Sequence, residues 1–202
     1  MIKKSFTIFV MVMVVLAAAS ELSAGTKRKG FVFGFGLGGG YSAYQVQVPK
    51  YSGWWYTGEE IENRGNAGVA TDFKIGIGLS EHIVLLYTNK VLWFNFKDPR
   101  NDDYSLTDTG ASMFGIDYFF KTAAPSLYLL AGIGAGAWSS LMAESDSQSW
   151  IGLGICAGLG YEFSRHWTIE ASLLYSRGGG EDDLRSARNP LSIMFMFNYL
   201  FY

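Results

Sequence analysis

Residues 68–79 read GVATDFKIGIGL, and their side chains alternate between two faces of an extended chain. Val69, Phe73 and Ile75 share one face, whereas Asp72 and Lys74 share the other face with glycine. Successive side chains of a β-strand point to opposite sides, so this period of two predicts a strand. A strand face in water would carry many polar side chains, which the glycine-rich face lacks. We therefore predict that the bulky apolar face contacts lipid.

The same alternation recurs along the chain and predicts eight strands. They span residues 31–46, 68–79, 83–96, 109–120, 126–138, 150–163, 167–177 and 191–202. Their connections alternate in length, with short ones at 80–82, 121–125 and 164–166 and long polar ones between. Short turns at one end and long loops at the other are typical of outer-membrane barrels. The predicted fold is all-β, an eight-stranded antiparallel up-and-down transmembrane β-barrel.

Composition excludes several classes of function. Of the 202 residues only 17% are charged, against about a quarter in a typical soluble domain. The formal net charge of −2 indicates no nucleic-acid partner. Cys156 is the single cysteine, which excludes an intramolecular disulfide framework and a thiolate metal cluster. We expect neither a cofactor nor a metal.

The first segment has the layout of a secretory signal peptide. Two lysines precede an apolar stretch over residues 6–19, and small residues follow it. Cleavage after Ala19 and cleavage after Ala24 both fit the small residues there. An uncleaved helical anchor is disfavoured, because a spanning helix needs about 20 apolar residues. We assign residues 1–24 to the signal peptide and residues 25–202 to the barrel domain.

The end of the chain resembles a known family. Phe197, Tyr199 and Phe201 share one face of the last strand, and Tyr202 follows. This ending resembles the C-terminal signal by which bacterial outer-membrane proteins are recognised for insertion, although Tyr202 is one residue too many. Residues 158–171 (GLGYEFSRHWTIEA) similarly resemble the penultimate hairpin of the OmpA/OmpX-type small-barrel superfamily.

This resemblance implies a location and a set of partners. It implies an eight-stranded barrel in the bacterial outer membrane, in contact with membrane lipid, lipopolysaccharide and the barrel-insertion machinery. We expect a monomer. No peptidoglycan-binding domain is expected after the barrel, so a role in tethering the cell wall is not implied.

Charged residues are predicted inside the barrel. A short turn at 80–82 sets Asp72 opposite Lys90 on the inner face. The same alternation turns four more charged side chains inward: Lys74, Asp117, Glu162 and Glu170. Charges buried in a narrow barrel must pair, which predicts a polar network that fills the lumen. The alternative is a gate or an ion path.

The glycine-rich inner faces of the strands also allow two arrangements, a lumen filled by side chains or an open cavity. Gly34, Gly36, Gly38 and Gly40 of the first strand leave space beside them. This space is either filled by side chains from other strands or remains as a narrow cavity. The candidates to fill it are Tyr128, Trp138, Lys90 and Phe94.

The sequence contains only weak matches to catalytic and cofactor-binding motifs. His82 and His166 each end a short turn, so we interpret both as turn residues near the inner interface. No histidine lies at the outer end, where a lipid hydrolase of this architecture would need one for its triad. Gly34-x-Gly36-x-x-Gly39 lacks the helix that a dinucleotide-binding motif requires. We predict that the protein is not an enzyme.

Aromatic residues gather near both predicted strand ends and suggest two interfacial girdles. Near the short turns lie Tyr118, Phe119, Phe120, Tyr161, Phe163, Trp167 and Tyr199. Near the long loops lie Tyr41, Trp93, Trp138, Trp150 and Tyr175.

The long loops are predicted at 47–66, 97–108, 139–149 and 178–190, and they carry more acidic than basic residues. Their acids are either solvated or hold divalent cations with lipopolysaccharide; they are Glu59, Glu60, Glu62, Asp102, Asp103, Glu181, Asp182 and Asp183. Trp54, Trp55 and Tyr56 form an aromatic cluster that either dips into the interface or meets a partner.

The predicted function is surface contact through these loops. The alternative is a narrow channel or a pocket for a small solute or apolar molecule.

Overall fold

The computed structural model describes residues 28–52, 54–97, 104–140, 149–178 and 188–202. The eight predicted strands are confirmed: β1 (Gly30–Ser52), β2 (Trp55–Gly78), β3 (Ile83–Lys97), β4 (Tyr104–Phe119), β5 (Ser126–Ser140), β6 (Trp150–Ser164), β7 (Trp167–Arg177) and β8 (Arg188–Phe201). The predicted signal peptide and parts of three long loops lie outside the described residues. In the part of the chain that the structure describes, no helix is long and apolar enough to cross a membrane.

The strands form a closed antiparallel barrel in chain order, and β8 pairs with β1 to complete it. Gly30 and Phe201 therefore lie at the same end of the barrel. The three short connections, 79–82, 120–125 and 165–166, lie at this end too. Because outer-membrane barrels have short turns on the periplasmic side, we assign this end to the periplasm and the opposite end to the cell exterior.

Side chains on the outside of the barrel are mainly apolar, whereas the inside holds charged and polar side chains, glycine and packed apolar side chains such as Leu92, Met113 and Trp138. On β2, Phe73, Ile75 and Ile77 are 37%, 36% and 50% exposed, whereas Asp72 and Lys74, which alternate with them, are 3% and 2% exposed. This inverts the arrangement of a soluble protein, and it is stable where hydrocarbon surrounds the barrel.

The apolar band has the height of a membrane. On β1 it extends from Phe31 to Tyr41, both exposed and apolar. Ten residues of a tilted strand rise roughly 25 Å, which is the height of the lipid-facing band of an outer-membrane barrel.

The predicted loop at 47–66 is wrong, because β1 and β2 continue through it to Ser52 and Trp55. In the described residues the pairing of β1 with β8 ends near Gln45, and that of β2 with β3 ends at Val69. Residues 46–52 and 54–63 thus form a two-stranded extension above the barrel, here called the distal ribbon. Only the base of the ribbon reaches the core, where Val46 is buried and Val48 packs against it, so no long run of alternating apolar residues marked these strands in the sequence.

Three aromatic residues assigned to the girdles lie elsewhere. Phe119, Trp138 and Trp150 are buried in the lumen. Their strand parity decides this, because Trp138 shares its face with Gly136, and Phe119 shares its face with Asp117. Other predicted girdle residues are exposed on the outside; they include Tyr118, Phe120, Tyr161, Phe163 and Trp167 near the short turns, and Tyr41 and Tyr175 near the long loops.

Candidate functional site: the lumen and the distal ribbon

Five of the predicted inward charges meet in one layer across the middle of the lumen. They are Asp72 and Lys74 from β2, Lys90 from β3, Asp117 from β4 and Glu170 from β7. All five side chains are buried. Alternation along each strand turns them inward, and barrel closure brings β7 opposite β2 and β3.

Two lysines join the carboxylates of this charged layer. Lys90 Nζ donates to Asp72 Oδ2 at 2.6 Å and also to Glu170 Oε1. Lys74 Nζ donates to Glu170 Oε2 at 2.6 Å. The Thr88 hydroxyl donates to the second oxygen of Asp72 at 2.7 Å. Each of these buried ions thus has hydrogen-bond partners that offset the cost of removing it from water.

Asp117 is held less tightly than the other members of the charged layer. Its Oδ2 lies 3.8 Å from Lys74 Nζ, and this oxygen is buried without a hydrogen-bond partner. The Tyr128 hydroxyl, which reaches into the same layer, donates to Glu170 Oε2 at 3.2 Å instead. Three carboxyl groups therefore share two ammonium groups, and Asp117 is the one with the weakest contacts.

An aromatic layer closes the lumen on the extracellular side of the charged layer. Tyr44, Phe94 and Phe96 surround the Trp138 indole, with ring centroids 5.0, 5.5 and 5.8 Å from it. The interplanar angles of these three contacts, 64°, 63° and 88°, are edge-to-face arrangements that aromatic pairs prefer. All four rings are buried.

A third layer, centred on Arg28, closes the periplasmic end. The guanidinium lies 4.1 Å from the centre of the Phe119 ring and pairs with the Glu162 carboxylate. Its NH1 group donates to the carbonyl oxygens of Glu81 at 2.8 Å and Lys121 at 2.6 Å. Arg28 precedes β1, and its side chain reaches across the mouth of the barrel to Lys121 and Glu162.

Glu162 therefore belongs to a different layer from the other five predicted charges. Sequence analysis missed its partner, because Arg28 lies outside every alternating run. The sequence offered one indication that Glu162 has a partner, namely its own negative charge, because a buried carboxylate needs a cation near it.

The last residue of the chain completes this periplasmic layer. The Tyr202 hydroxyl donates to Glu162 Oε1 at 3.2 Å, and its ring stacks on His166 with centroids 5.7 Å apart. Burial and the neighbouring charge of Glu162 raise the pKa of the Tyr202 hydroxyl well above its usual range, so it remains a neutral donor. Both ends of the described chain are thus joined to β6.

Little free volume remains between the three layers, and a cavity of about 410 Å³ lies at the periplasmic mouth beside Arg28, Glu162 and Tyr202. A cavity of about 10 Å³ remains beside Lys74, Asp117 and Cys156, which is at the lower limit for one water molecule. Glycine on the inner face makes room for the side chains that fill the lumen. A Cβ atom on Gly160, for example, would lie 2.0 Å from the Tyr128 ring. The predicted fillers Tyr128, Trp138, Lys90 and Phe94 are all buried in the lumen.

The residues of the proposed insertion signal lie on the outside or at the rim of β8. Phe197 faces outward and contacts the Trp167 ring, with centroids 4.9 Å apart. Tyr199 packs against the same indole at 4.5 Å and against Phe201 at 4.4 Å. Recognition of these residues by the insertion machinery remains a prediction.

Both histidines lie in short periplasmic turns, as predicted. His82 Nδ1 lies 2.7 Å from the Phe119 carbonyl oxygen, and His166 Nδ1 lies 2.6 Å from the Leu200 carbonyl oxygen. Each ring thus ties its turn to the end of a neighbouring strand.

Two acidic residues of the distal ribbon have basic partners. Glu60 pairs with Lys50 at 3.1 Å, and Glu62 pairs with Arg64 at 2.9 Å. Among the described residues, no group of three or more His, Cys, Asp or Glu side chains is placed to hold a metal ion. Other predicted loop acids lie outside the described residues; they are Asp102, Asp103, Glu181, Asp182 and Asp183.

A closed barrel with an apolar exterior of membrane height and an ion-paired interior defines an outer-membrane β-barrel protein. The family model described as "Outer membrane protein beta-barrel domain" matches residues 9–199, and the chain belongs to this family. It is therefore a protein of the bacterial outer membrane, and the resemblance to the small-barrel superfamily is confirmed.

The chain is similar to solved structures of small outer-membrane barrels. Ail, the attachment invasion locus protein of Yersinia pestis, is 19% identical with a TM-score of 0.52, covering 86% of this chain and 99% of that one. Neisserial surface protein A is 16% identical with a TM-score of 0.47, over 83% and 96% of the two chains. The N-terminal barrel of Pseudomonas aeruginosa OprF is 13% identical with a TM-score of 0.42, over 83% and 97%. Comparison with curated proteins gives no match.

Proposed function

We propose that the protein is a non-enzymatic, non-conducting outer-membrane barrel that acts through the surface it exposes outside the cell. The observation that carries this proposal is the filling of the lumen. The aromatic layer, the charged layer and the Arg28 layer succeed one another along the barrel axis, and each is buried.

Each layer opposes ion passage for its own reason. The Trp138 indole and the three rings around it leave an apolar constriction, which water and ions do not enter readily. In the charged layer, the Lys90 ammonium already bridges Asp72 and Glu170. A permeating ion would have to break these pairs and leave a buried charge uncompensated, which is costly.

Conductance measurements test the proposal directly. The purified full-length barrel is inserted into planar lipid bilayers, after a heat-dependent shift on a denaturing gel has shown that it is folded. We expect no reproducible conductance steps. Steps of uniform size would contradict the proposal and favour the narrow channel instead.

Surface contact is proposed for the extracellular end because the distal ribbon projects from it. Lys50 and Glu60 pair across its two strands, and the Thr57 hydroxyl donates to the Lys50 carbonyl oxygen at 3.0 Å. Such cross-strand contacts stiffen a β-ribbon. Cells that express the chain should therefore adhere to a surface more strongly than cells that express a version without the ribbon.

We propose that the barrel is a monomer surrounded by outer-membrane lipid and lipopolysaccharide, and that the insertion machinery places it there. Supporting this, Phe197, Tyr199 and Trp167 form a continuous aromatic cluster beside the periplasmic turns. Aromatic side chains at this depth are typical of the membrane interface.

A further inference from the structure

The tip of the distal ribbon carries three adjacent aromatic side chains that are open to solvent. Trp54, Trp55 and Tyr56 are 99%, 80% and 58% exposed. No charged residue occurs among residues 54–58. An exposed apolar patch of this kind marks a site of interaction.

The tip lies well above the membrane that holds the barrel. On β2 the apolar outer face ends at Val69, and the outward positions beyond it, from Ala67, are mostly small or polar. From Ala67 to Trp55 the strand rises by roughly 30 Å, given the usual rise per residue and strand tilt. The three aromatic side chains are therefore out of reach of their own bilayer.

The chemistry of the tip matches a lipid interface. Tryptophan and tyrosine prefer the boundary between hydrocarbon and water, where the ring is buried and its polar atom stays hydrated. The barrel itself presents the same residue types at its own interface, for example Tyr118, Tyr161 and Trp167.

The size of the tip also favours a bilayer over a protein partner. Three aromatic side chains can bury roughly 450–750 Å², which is less than the roughly 800 Å² that each partner of a standard protein interface covers. A bilayer can take up a tip of this size because, unlike a protein partner, it needs no surface of complementary shape. The basic residue nearest to Trp54 in the sequence, Lys50, is paired with Glu60, so its charge is partly neutralised.

We propose that Trp54, Trp55 and Tyr56 insert into the interfacial region of a second, apposed lipid bilayer, so that the protein bridges two membranes. This inference rests on the proposed function, because it names the partner of the surface that the barrel exposes. Since the tip is uncharged, binding is driven by burial of apolar area and is insensitive to salt.

The test uses the full-length protein in lipid nanodiscs and separate phosphatidylcholine vesicles. We expect the protein to float with the vesicles at both low and high salt. The double variant Trp54→Ser/Trp55→Ser should bind at least about tenfold more weakly, because two indole rings no longer leave water. Ile61→Ser is the matched control, since Ile61 is exposed on the same ribbon below the tip.

Fluorescence locates the contact. With brominated lipid confined to the vesicles, tryptophan emission of the unaltered protein should be quenched, and that of the double variant should not. Absence of co-flotation, equal binding of the double variant, or binding that salt abolishes would each overturn the inference.

Failure of this inference is distinguishable from failure of the proposed function. If the tip variant loses adhesion to a protein-coated surface but vesicles never bind, the partner is a protein and the bilayer inference alone is wrong. Conductance steps in planar bilayers would instead overturn the non-conducting barrel, whatever the tip binds.

Discussion

Arg28 joins parts of the chain that are far apart in sequence. Its side chain contacts the β2–β3 turn at Glu81, the β4–β5 connection at Lys121, and both Phe119 and Glu162 of the lumen. A single guanidinium can do this because its five donors point in fixed directions within one plane.

Replacing Arg28 with alanine should destabilise the barrel. Glu162 would remain buried without its cation, a loss for which we expect about 3–5 kcal/mol in the free energy of unfolding. Urea unfolding in detergent micelles measures this change. Lys50→Ala, which breaks the exposed pair with Glu60, is the control and should cost less than about 1 kcal/mol. Equal stability of the Arg28 variant and the unaltered barrel would show that the contact contributes nothing.

Two aspartates of the charged layer allow a matched comparison. Asp72→Asn removes a carboxylate that accepts from Lys90 and Thr88, whereas Asp117→Asn removes one whose Oδ2 has no hydrogen bond. We expect Asp72→Asn to lower the free energy of unfolding by about 2–4 kcal/mol and Asp117→Asn by less than about 1 kcal/mol. Urea unfolding of both variants checks the order, and equal losses would contradict it.

At the scale of elements, the distal ribbon and the barrel share β1 and β2 but differ in what holds them. Inside the barrel, each of these strands pairs with two neighbours. In the distal ribbon, β1 and β2 pair with each other alone among the described residues. The ribbon should therefore be separable from the barrel.

Removing the ribbon should leave the barrel intact. Val46 and Glu62 are cross-strand partners, so residues 47–61 can be replaced by an Asn-Gly turn that suits a two-residue hairpin. We expect the temperature of the heat-dependent gel shift to change by no more than a few degrees, because the three buried layers are kept and the interior loses only the packing of Val48. A shortened chain that no longer folds would show that the ribbon is needed for barrel formation.

At the scale of the whole molecule, the lumen is closed from both ends. Phe119 and Arg28 lie at the periplasmic end, and the rings around Trp138 lie on the extracellular side. Cys156, the single cysteine of the chain, is buried between them and is a natural reporter of this closure.

A thiol reagent should not reach Cys156 in the folded barrel. We expect maleimide to label it only as the protein unfolds, so that labelling and the gel shift follow the same temperature dependence. The reason is steric, since the cavity beside Cys156 is no larger than one water molecule. Rapid labelling of the folded barrel would reveal an open path into the lumen.

The sequence by itself determined the strand count, the lipid-facing side of each strand and the location in the outer membrane. It did so because a period of two assigns every side chain to a face, whatever the neighbouring strands are. The inward position of Asp72, Lys74 and Lys90 follows from the same rule. The rule failed to detect most of the distal ribbon, because beyond Val48 neither face is buried and alternation carries no apolar signal.

Only the tertiary structure decided which inward residues meet. Lys74 contacts Glu170, which is 96 residues away in the sequence, because closure of the barrel brings β7 across from β2. Glu162 instead meets Arg28, which belongs to no strand. Contacts across a lumen depend on strand stagger and side-chain length, which alternation does not encode. The filled lumen, on which the proposed function depends, therefore emerges only when all eight strands are in place.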